Sequence, residues 1–293
     1  MTGGWLMAVD GTGLFVRCAR AGARTGMTAP DGTPTGALTL FASSLAGLVR
    51  EAQPQYLVIA WDGGNGTAWR REIVPDYKGN RLTREYPPRD TREFDAVREF
   101  CNAAQVTQWC LDDFEGDDLL AAACRLSWRD LPDVSVLLCS DDRDVLQLTE
   151  PGRVYVRTLG KDGAHVDVQA VVTEWGVYPE NLPSLRALAG DASDGIPGLP
   201  GVGPVRALAM LRRANFNWPL PEEILADPGQ QKQARAWRDV MTLHGAPKVP
   251  EDHDVTGMLD IRKTTWTRGN IMPVLERYGM RKMAERWSQG TFW

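Results

Sequence analysis

Nine carboxylates lie at positions that the apolar pattern marks as strand ends or turns. Asp10, Asp62 and Asp142 each follow an apolar run of strand length, and the carboxyl ends of parallel strands share one edge of a sheet. Carboxylates gathered there repel one another unless cations neutralise them, and their oxygens suit Mg²⁺ or Mn²⁺. The pattern therefore predicts a divalent-metal site. The nine are Asp10, Asp62, Glu115, Asp117, Asp118, Asp142, Asp144, Asp191 and Asp194.

Two acidic stretches carry most of this signal. Glu115 and Asp118 are three residues apart, so both can face one way at the start of a helix. The alternative is a helix whose acidic first turn is exposed to solvent. The apolar residues that follow indicate instead that the helix is buried, and a buried helix that begins with several acids favours a bound metal ion. Residues 141–144 hold three aspartates, more than one helix cap requires, which indicates Asp142 and Asp144 as ligands and Asp141 as the cap.

The stretch from Gly190 to Gly195 holds Asp191 and Asp194 and, taken alone, is typical of a polar turn. A glycine-rich segment, Gly198 to Gly203, precedes a predicted helix that begins at Pro204 and carries Arg206. This spacing matches neither the dinucleotide pattern nor the P-loop. A helix–hairpin–helix that grips a DNA backbone without reading its sequence fits better.

Residues 69–92 combine seven basic side chains with four acidic ones and three aromatic rings, Trp69, Tyr77 and Tyr86. Cations interleaved with stacking rings suit single strands and frayed ends, although a solvated loop has the same composition. The stretch follows the predicted strand end at Asp62, which favours the functional interpretation. The net charge of the chain is −5, and without the nine acids it would be +4, so a nucleic-acid partner is not excluded.

The alternation of strands and helices predicts an α/β fold, a mixed, mostly parallel sheet flanked by helices. A hairpin near residues 154–168 is expected at the sheet edge. We expect a core over residues 1–180 and a helical region over 181–293 packed on it. The apolar runs predict strands at residues 5–9, 56–61, 106–111 and 134–139, and helices at 35–52, 90–104, 116–128, 142–148, 181–190, 204–213, 222–245 and 270–288.

Composition narrows the class of protein further. The five cysteines are odd in number and form no Cys-x-x-Cys pair, which indicates reduced thiols rather than a disulfide framework or a zinc site. No apolar run approaches the ~20 residues of a membrane span, and no export signal is evident. We therefore expect a cytoplasmic protein of a bacterial cell or a phage-infected host, without a membrane partner and monomeric.

Taken in order, these stretches resemble the 5′-nuclease (flap endonuclease) family, found at the N-terminus of bacterial DNA polymerase I and as stand-alone phage and bacterial enzymes. The resemblance covers residues 5 to about 213, and its most specific block is residues 190–203. It implies a PIN-like sheet, a helical arch at about residues 76–100 over the active site, and a helix–three-turn–helix at about 181–213. The matching segments are Val9–Gly11, Trp61–Asp62, Arg70, Pro75–Arg81, Glu115–Asp118, Asp142–Asp144 and Gly190–Gly203.

The resemblance also implies roles for individual residues. Asp10, Glu115 and Asp117 resemble the ligands of a tighter ion, and Asp142, Asp144, Asp191 and Asp194 those of a second, with Asp62 and Asp118 acting partly through water. This replaces the structural interpretation of Asp191 and Asp194. Lys78 and Arg81, with Asp10 and Asp142, are the expected catalytic residues, and Tyr77 is the ring on which a terminal base stacks. The expected DNA contacts are Arg70, Tyr77, Lys78, Arg81, Gly201, Gly203 and Arg206, and the backbone of Gly198, Val202 and Gly203 is expected to bind K⁺.

One departure from the family concerns the helix start at Pro204. Many members have Glu-Lys-Thr where this chain has Pro204-Val205-Arg206, so the usual lysine is lost and Arg206 is its expected replacement. The implied cofactors are two Mg²⁺ or Mn²⁺ ions and K⁺.

The implied function is structure-specific hydrolysis of DNA at 5′ flaps and 5′ ends, both endonucleolytic and exonucleolytic, in replication and repair. Two ions would assist an in-line attack of water. The partner is branched or 5′-ended duplex DNA, and any DNA polymerase partner would be a separate protein. The alternatives are a structure-specific DNA-binding protein with lost or auxiliary catalysis, and a PIN-class ribonuclease. PIN ribonucleases share the acidic sheet but lack the glycine-rich helical block.

Overall fold

The computed structural model describes residues 4–79, 91–160, 163–243, 259–262, 271–290 and 293. Within these ranges the strands are β1 (Trp5–Asp10), β2 (Tyr56–Trp61), β3 (Thr107–Cys110), β4 (Ser135–Cys139), β5 (Val154–Arg157) and β6 (His165–Val166). The helices are α1 (Gly11–Gly22), α2 (Gly36–Ala52), α3 (Ala68–Ile73), α4 (Thr91–Ala103), α5 (Gly116–Asp130), α6 (Val168–Trp175), α7 (Leu182–Ala189), α8 (Pro204–Arg213), α9 (Pro228–Met241), α10 (Met272–Arg277) and α11 (Arg281–Ser288).

The strands form one sheet in the order β3-β2-β1-β4-β5-β6, in which all neighbours are parallel except β5 and β6. Strands β2 and β3 lie on one side of β1, and strands β4 and β5 lie on its other side. The crevice between the carboxyl ends of β1 and β4 is therefore the topological switch point, where open α/β sheets bind ligands. This confirms the predicted sheet and the edge hairpin.

Helices cover both faces of the sheet. Leu119, Leu185 and Trp237, from α5, α7 and α9, belong to the core on one face. Phe41, Phe100 and Leu275, from α2, α4 and α10, belong to the core on the other. The helical region beyond residue 180 is thus divided, because α7–α9 and α10–α11 pack on opposite faces of the sheet. Among the described residues, none of the helices combines the length and the apolar composition that a membrane crossing requires.

Some elements differ from those predicted. The helix expected at residues 142–148 is a 3₁₀ helix, Arg143–Leu148. Helix α1 was not predicted, because its glycines lower helix propensity; Asp10 compensates by capping its first turn. Gly22 is needed where α1 meets α2, since a Cβ atom there would lie 2.4 Å from the backbone of Gly36.

The helical segment predicted at residues 270–288 is broken into α10 and α11 at Gly279, whose φ is 69°. The proposed arch at residues 76–100 includes 80–90, which lie outside the described residues, as does Arg81. Helix α4 supplies the C-terminal part of that stretch, and the arch itself remains a prediction.

Candidate active site at the carboxyl edge of the sheet

Asp10 stands at the switch point, where β1 ends and α1 begins. Its Oδ1 accepts a hydrogen bond from the Gly13 amide at 2.7 Å, and its Oδ2 accepts one from Ser140 Oγ, at the end of β4, at 2.9 Å. Burial, together with the negative charges of Asp62 and Asp142, raises the pKa of Asp10 to about 7. A carboxyl group with this pKa is poised to exchange a proton for a cation near neutral pH.

Asp62 connects the end of β2 to the start of α5. Its Oδ1 accepts a hydrogen bond from the Gly116 amide at 2.8 Å, and its own amide donates to Thr12 Oγ at 2.9 Å. The side chain is exposed to the cleft. Asp62 therefore lies on the rim of the acidic group.

Glu115 caps α5, and its carboxylate lies between two buried cations. Lys78 Nζ lies 2.6 Å from its Oε1, and an Arg70 Nη lies 3.0 Å from its Oε2. Burial and the charge of Asp117 raise the pKa of Glu115 to about 7, against the opposing effect of Lys78. Both oxygens of Glu115 thus have cationic partners in this structure.

Arg70, an expected DNA contact, is buried in this structure, because its side chain is 1% exposed and most of its N–H groups donate to protein acceptors. Its two Nη atoms donate to Asp118 at 2.8 and 2.6 Å, and its Nε donates to the Val240 carbonyl at 2.8 Å. A guanidinium with its donors committed in this way cannot contact a DNA phosphate. Asp118, whose oxygens accept from Arg70 and from the Glu115 amide, anchors the start of α5.

Asp117, Asp142 and Asp144 offer carboxylate oxygens that all lie within 4.8 Å of one another. Asp117 Oδ1 is buried and has no hydrogen-bond partner among the described residues, an arrangement that costs free energy unless a cation completes it. Burial, followed by the charge of Asp117, raises the pKa of Asp142 to about 6. The donor set fits a hard divalent cation. In this group Asp117 lies close to Asp142 and Asp144, which the sequence analysis assigned to a different ion.

Arg186 is a site residue that the sequence interpretation missed. It projects from α7 and forms ion pairs with both Asp144 and Asp191. The available signal was an arginine within the otherwise apolar helix 182–189, five residues before Asp191. Its partner Asp144 lies far away in the sequence, so the pairing itself could not be foreseen.

Asp194, Tyr77 and Lys78 join the acidic turn to the segment that precedes residue 80. Tyr77 Oη donates to Asp194 at 3.2 Å, and the Lys78 amide donates to the Asp194 carbonyl at 2.8 Å. The Tyr77 ring is 2% exposed, so its predicted base-stacking role has no accessible ring face in this structure. The Lys78 side chain is also buried, and it lines the cleft.

The acids open into a cleft of about 660 Å³ whose other wall is α1. Arg17 and Arg20, three residues apart on α1, line that wall together with Arg24, which follows the end of the helix. Arg17 pairs with Asp141 at 3.0 Å. The sequence interpretation missed this row because it missed the helix. A strip of cations beside an acidic centre suits a polyanionic ligand.

The glycine-rich turn after α7 has the backbone that its glycines permit. Gly198 and Gly201 have φ of 74° and 70°, and a Cβ atom on Gly198 would lie 2.4 Å from the Gly190 amide nitrogen. Gly201, Gly203 and Arg206 are exposed, and the Gly201 carbonyl accepts from Arg206 at 3.4 Å. Val205 is 86% exposed in place of the family's lysine. The K⁺ site predicted at Gly198, Val202 and Gly203 remains a prediction.

A family model and several known proteins resemble this chain. The family model for the 5′-3′ exonuclease, N-terminal resolvase-like domain, matches residues 5–176. The 5′-3′ exonuclease of Bacillus subtilis (strain 168) is 30% identical over 254 residues, 85% of this chain and 83% of that protein. DNA polymerase I of Rhizobium leguminosarum is 33% identical over 218 residues, 71% of this chain. The chain spans 20% of that polymerase, so it resembles only one part of it.

Among solved structures, the flap endonuclease of bacteriophage T5 has the same fold. It was solved as a pseudo-enzyme-product complex with DNA and metal ions. The TM-score is 0.62 at 20% sequence identity, and the alignment covers 98% of this chain and 97% of that one. At this identity the likeness concerns the fold.

Proposed function

This chain belongs to the 5′-3′ exonuclease family, and we propose that it is a divalent-metal-dependent nuclease that hydrolyses DNA at 5′ flaps and 5′ ends during replication and repair. The observation that carries the proposal is the group formed by Asp117, Asp142 and Asp144 at the switch point. Its oxygens lie within 4.8 Å of one another, and one of them, Asp117 Oδ1, is buried without a partner.

Charge supports a metal cofactor. The nine predicted acids face three cations that contact them within the described ranges, namely Arg70, Lys78 and Arg186. The remaining negative charge requires further cations or protons. We propose two Mg²⁺ or Mn²⁺ ions, held by Asp10, Glu115 and Asp117 on one side and by Asp142, Asp144, Asp191 and Asp194 on the other. When bound, such ions activate water and stabilise the leaving oxygen.

Lys78 would bind the phosphate that is cleaved. Its ammonium group lines the cleft beside Glu115 and can turn from that carboxylate toward a phosphate oxygen as charge develops there. Arg81, three residues after Lys78, is proposed to bind the same phosphate. Neither role requires a side-chain nucleophile, because water is the attacking group.

DNA would be held by its backbone. The arginine row of α1 would follow one strand away from the acids, and the exposed turn at Gly201 and Gly203, with Arg206, would grip the duplex, with K⁺ as its ion. Contacts with the DNA backbone give no information about base sequence, so recognition would depend on DNA structure. A separate DNA polymerase is the proposed protein partner of this chain.

Cleavage of a 5′-labelled flap in Mg²⁺ and in EDTA tests the proposal. The wild-type chain should cut only with Mg²⁺, and Asp142→Asn should lose nearly all activity while still binding the flap. Asp133→Asn is the matched control, since Asp133 is an exposed acid beyond the other end of α5, and it should cut normally. Equal cleavage by Asp142→Asn, or binding without cleavage by the wild-type chain, would contradict a nuclease and favour a DNA-binding protein. Preferential cleavage of RNA would favour the PIN-type ribonuclease.

A further inference from the structure

Arg186 joins two acids that come from different segments of the chain. Asp144 lies in the 3₁₀ helix after β4, and Asp191 follows α7. The arginine side chain is 12% exposed, and those of its two partners are 6% and 8% exposed. The second oxygen of Asp191 accepts from the Ser193 amide at 2.8 Å. One protein cation therefore already offsets half of the negative charge of these two acids.

An arginine in this position competes with a metal ion. Guanidinium stays protonated in proteins, so its charge can leave the acids only if the side chain moves. A divalent ion bound to the same oxygens would be repelled by that charge across a poorly screened, buried region. Asp117 Oδ1 and Asp144 Oδ1 are both buried without a hydrogen-bond partner among the described residues, but of the two acids Asp144 is the one that pairs with Arg186. An ion can therefore be held at Asp117, on the side of Asp10 and Glu115, without displacing Arg186.

We propose that Arg186 is a built-in counter-ion of the second metal position, which makes the two ions bind in order. The first ion enters beside Asp117, on the side of Asp10 and Glu115. The second binds more weakly, because it must take Asp144 and Asp191 from the guanidinium. This inference rests on the proposed two-ion nuclease site, and it makes Arg186 a positioning residue that sets the affinity of the second ion.

Calorimetry with Mn²⁺ on the DNA-free chain tests this directly. The wild-type protein should show two binding events of unequal affinity. Arg186→Met should tighten the weaker event by roughly tenfold, because one repelling charge is gone, and Arg186→Lys should restore weak binding. Arg157→Met is the matched control, since Arg157 is also a buried arginine paired with an acid, Glu51, away from the cleft, and it should leave both events unchanged.

Arginine side-chain ¹⁵N spectroscopy of the wild-type chain provides a test that needs no folded variant at position 186. The Arg186 Nε resonance should move during the second phase of a Mg²⁺ titration and not during the first. Two results would overturn this inference and leave the proposed nuclease function standing. One is two binding events with an unmoved Arg186 resonance. The other is an Arg186→Met protein whose weaker binding event is unchanged or weakened. If the wild-type chain bound no ion at all, the proposed metal-dependent function would fail with it.

Discussion

The Nζ atom of Lys78 lies 2.6 Å from Oε1 of Glu115, so a lysine and a glutamate form a buried ion pair at the start of α5. Lys78 has a φ of 53°, in the left-handed region, and its amide is fixed by the Asp194 carbonyl at 2.8 Å. A backbone conformation of this kind persists only where surrounding contacts impose it. Lys78 is thus held in the acidic cleft by contacts with two other segments of the chain.

Lys78→Ala should lower kcat by about 10²–10³-fold, the usual effect of losing one donor to a developing charge. Binding of the flap should weaken far less, since other cations hold the DNA. Single-turnover cleavage and a separate binding measurement distinguish the two effects. Lys232→Ala, which changes an exposed lysine of α9, is the control. A variant that binds poorly but cuts at the normal rate once bound would remove the catalytic role.

Arg70→Met should destabilise the metal-free chain by about 3–5 kcal/mol, because Asp118 would remain buried without its cation and Glu115 would keep only Lys78. Urea unfolding followed by circular dichroism measures this change. Adding Asp118→Asn should recover part of the loss, since it removes one uncompensated charge. A cost below about 1 kcal/mol for Arg70→Met would mean that Arg70 is not structural, as exposed ion pairs seldom contribute more.

Metal-free stability should fall as pH rises between about 4.5 and 7. Burial raises the pKa of Asp10 and Glu115 to about 7 and that of Asp142 to about 6, above their ordinary values of 3.8 and 4.5. The folded chain therefore binds more protons than the unfolded chain in this window, so these groups contribute stability at low pH that is lost as pH rises.

Added Mg²⁺ should reverse that loss, because the ion replaces the protons. The increase in Tm caused by Mg²⁺ should be larger at about pH 8 than at about pH 5.5, and ion uptake should release protons, seen as a buffer-dependent binding enthalpy. Asp10→Asn should weaken both effects. An increase in Tm that is the same at both pH values would show that these carboxyls are already ionised without the metal.

The α1 row can be tested through salt dependence. Replacing Arg20 and Arg24 with glutamine should weaken DNA binding and reduce the slope of log K against log salt by roughly 1.4–1.8, the value for two lost phosphate contacts. Arg129→Gln is the control, since α5 carries Arg129 to the opposite edge of the sheet. An unchanged slope would exclude α1 from the DNA path.

The positions of Asp10, Asp62 and Asp142 followed from the sequence, because apolar runs of strand length end just before them. The partners of Arg70 did not follow from the sequence. Arg70 and Asp118 are 48 residues apart, and Arg70 and Val240 are 170 apart, so only tertiary packing brings them together. A basic, aromatic stretch resembles a DNA contact in composition, whether its arginine faces solvent or, as Arg70 does, a buried carboxylate.

Helix α1 and Arg186 show a second limit. Glycines at the start and end of α1 hide its periodicity, and their reason, the contact of Gly22 with Gly36, is a packing requirement that one segment cannot reveal. A single arginine in the short apolar helix α7 carries no pattern at all. The charge that it meets becomes evident only when the carboxyl ends of β1 and β4 are placed beside α7.

Diffraction from crystals grown with Mn²⁺, recorded at the manganese absorption edge, tests the central claim most directly. We expect anomalous peaks within bonding distance of the Asp117 and Asp142 carboxylates, at the carboxyl ends of β1 and β4. Crystals of the folded chain that show no manganese there, even with DNA in the cleft, would contradict the account.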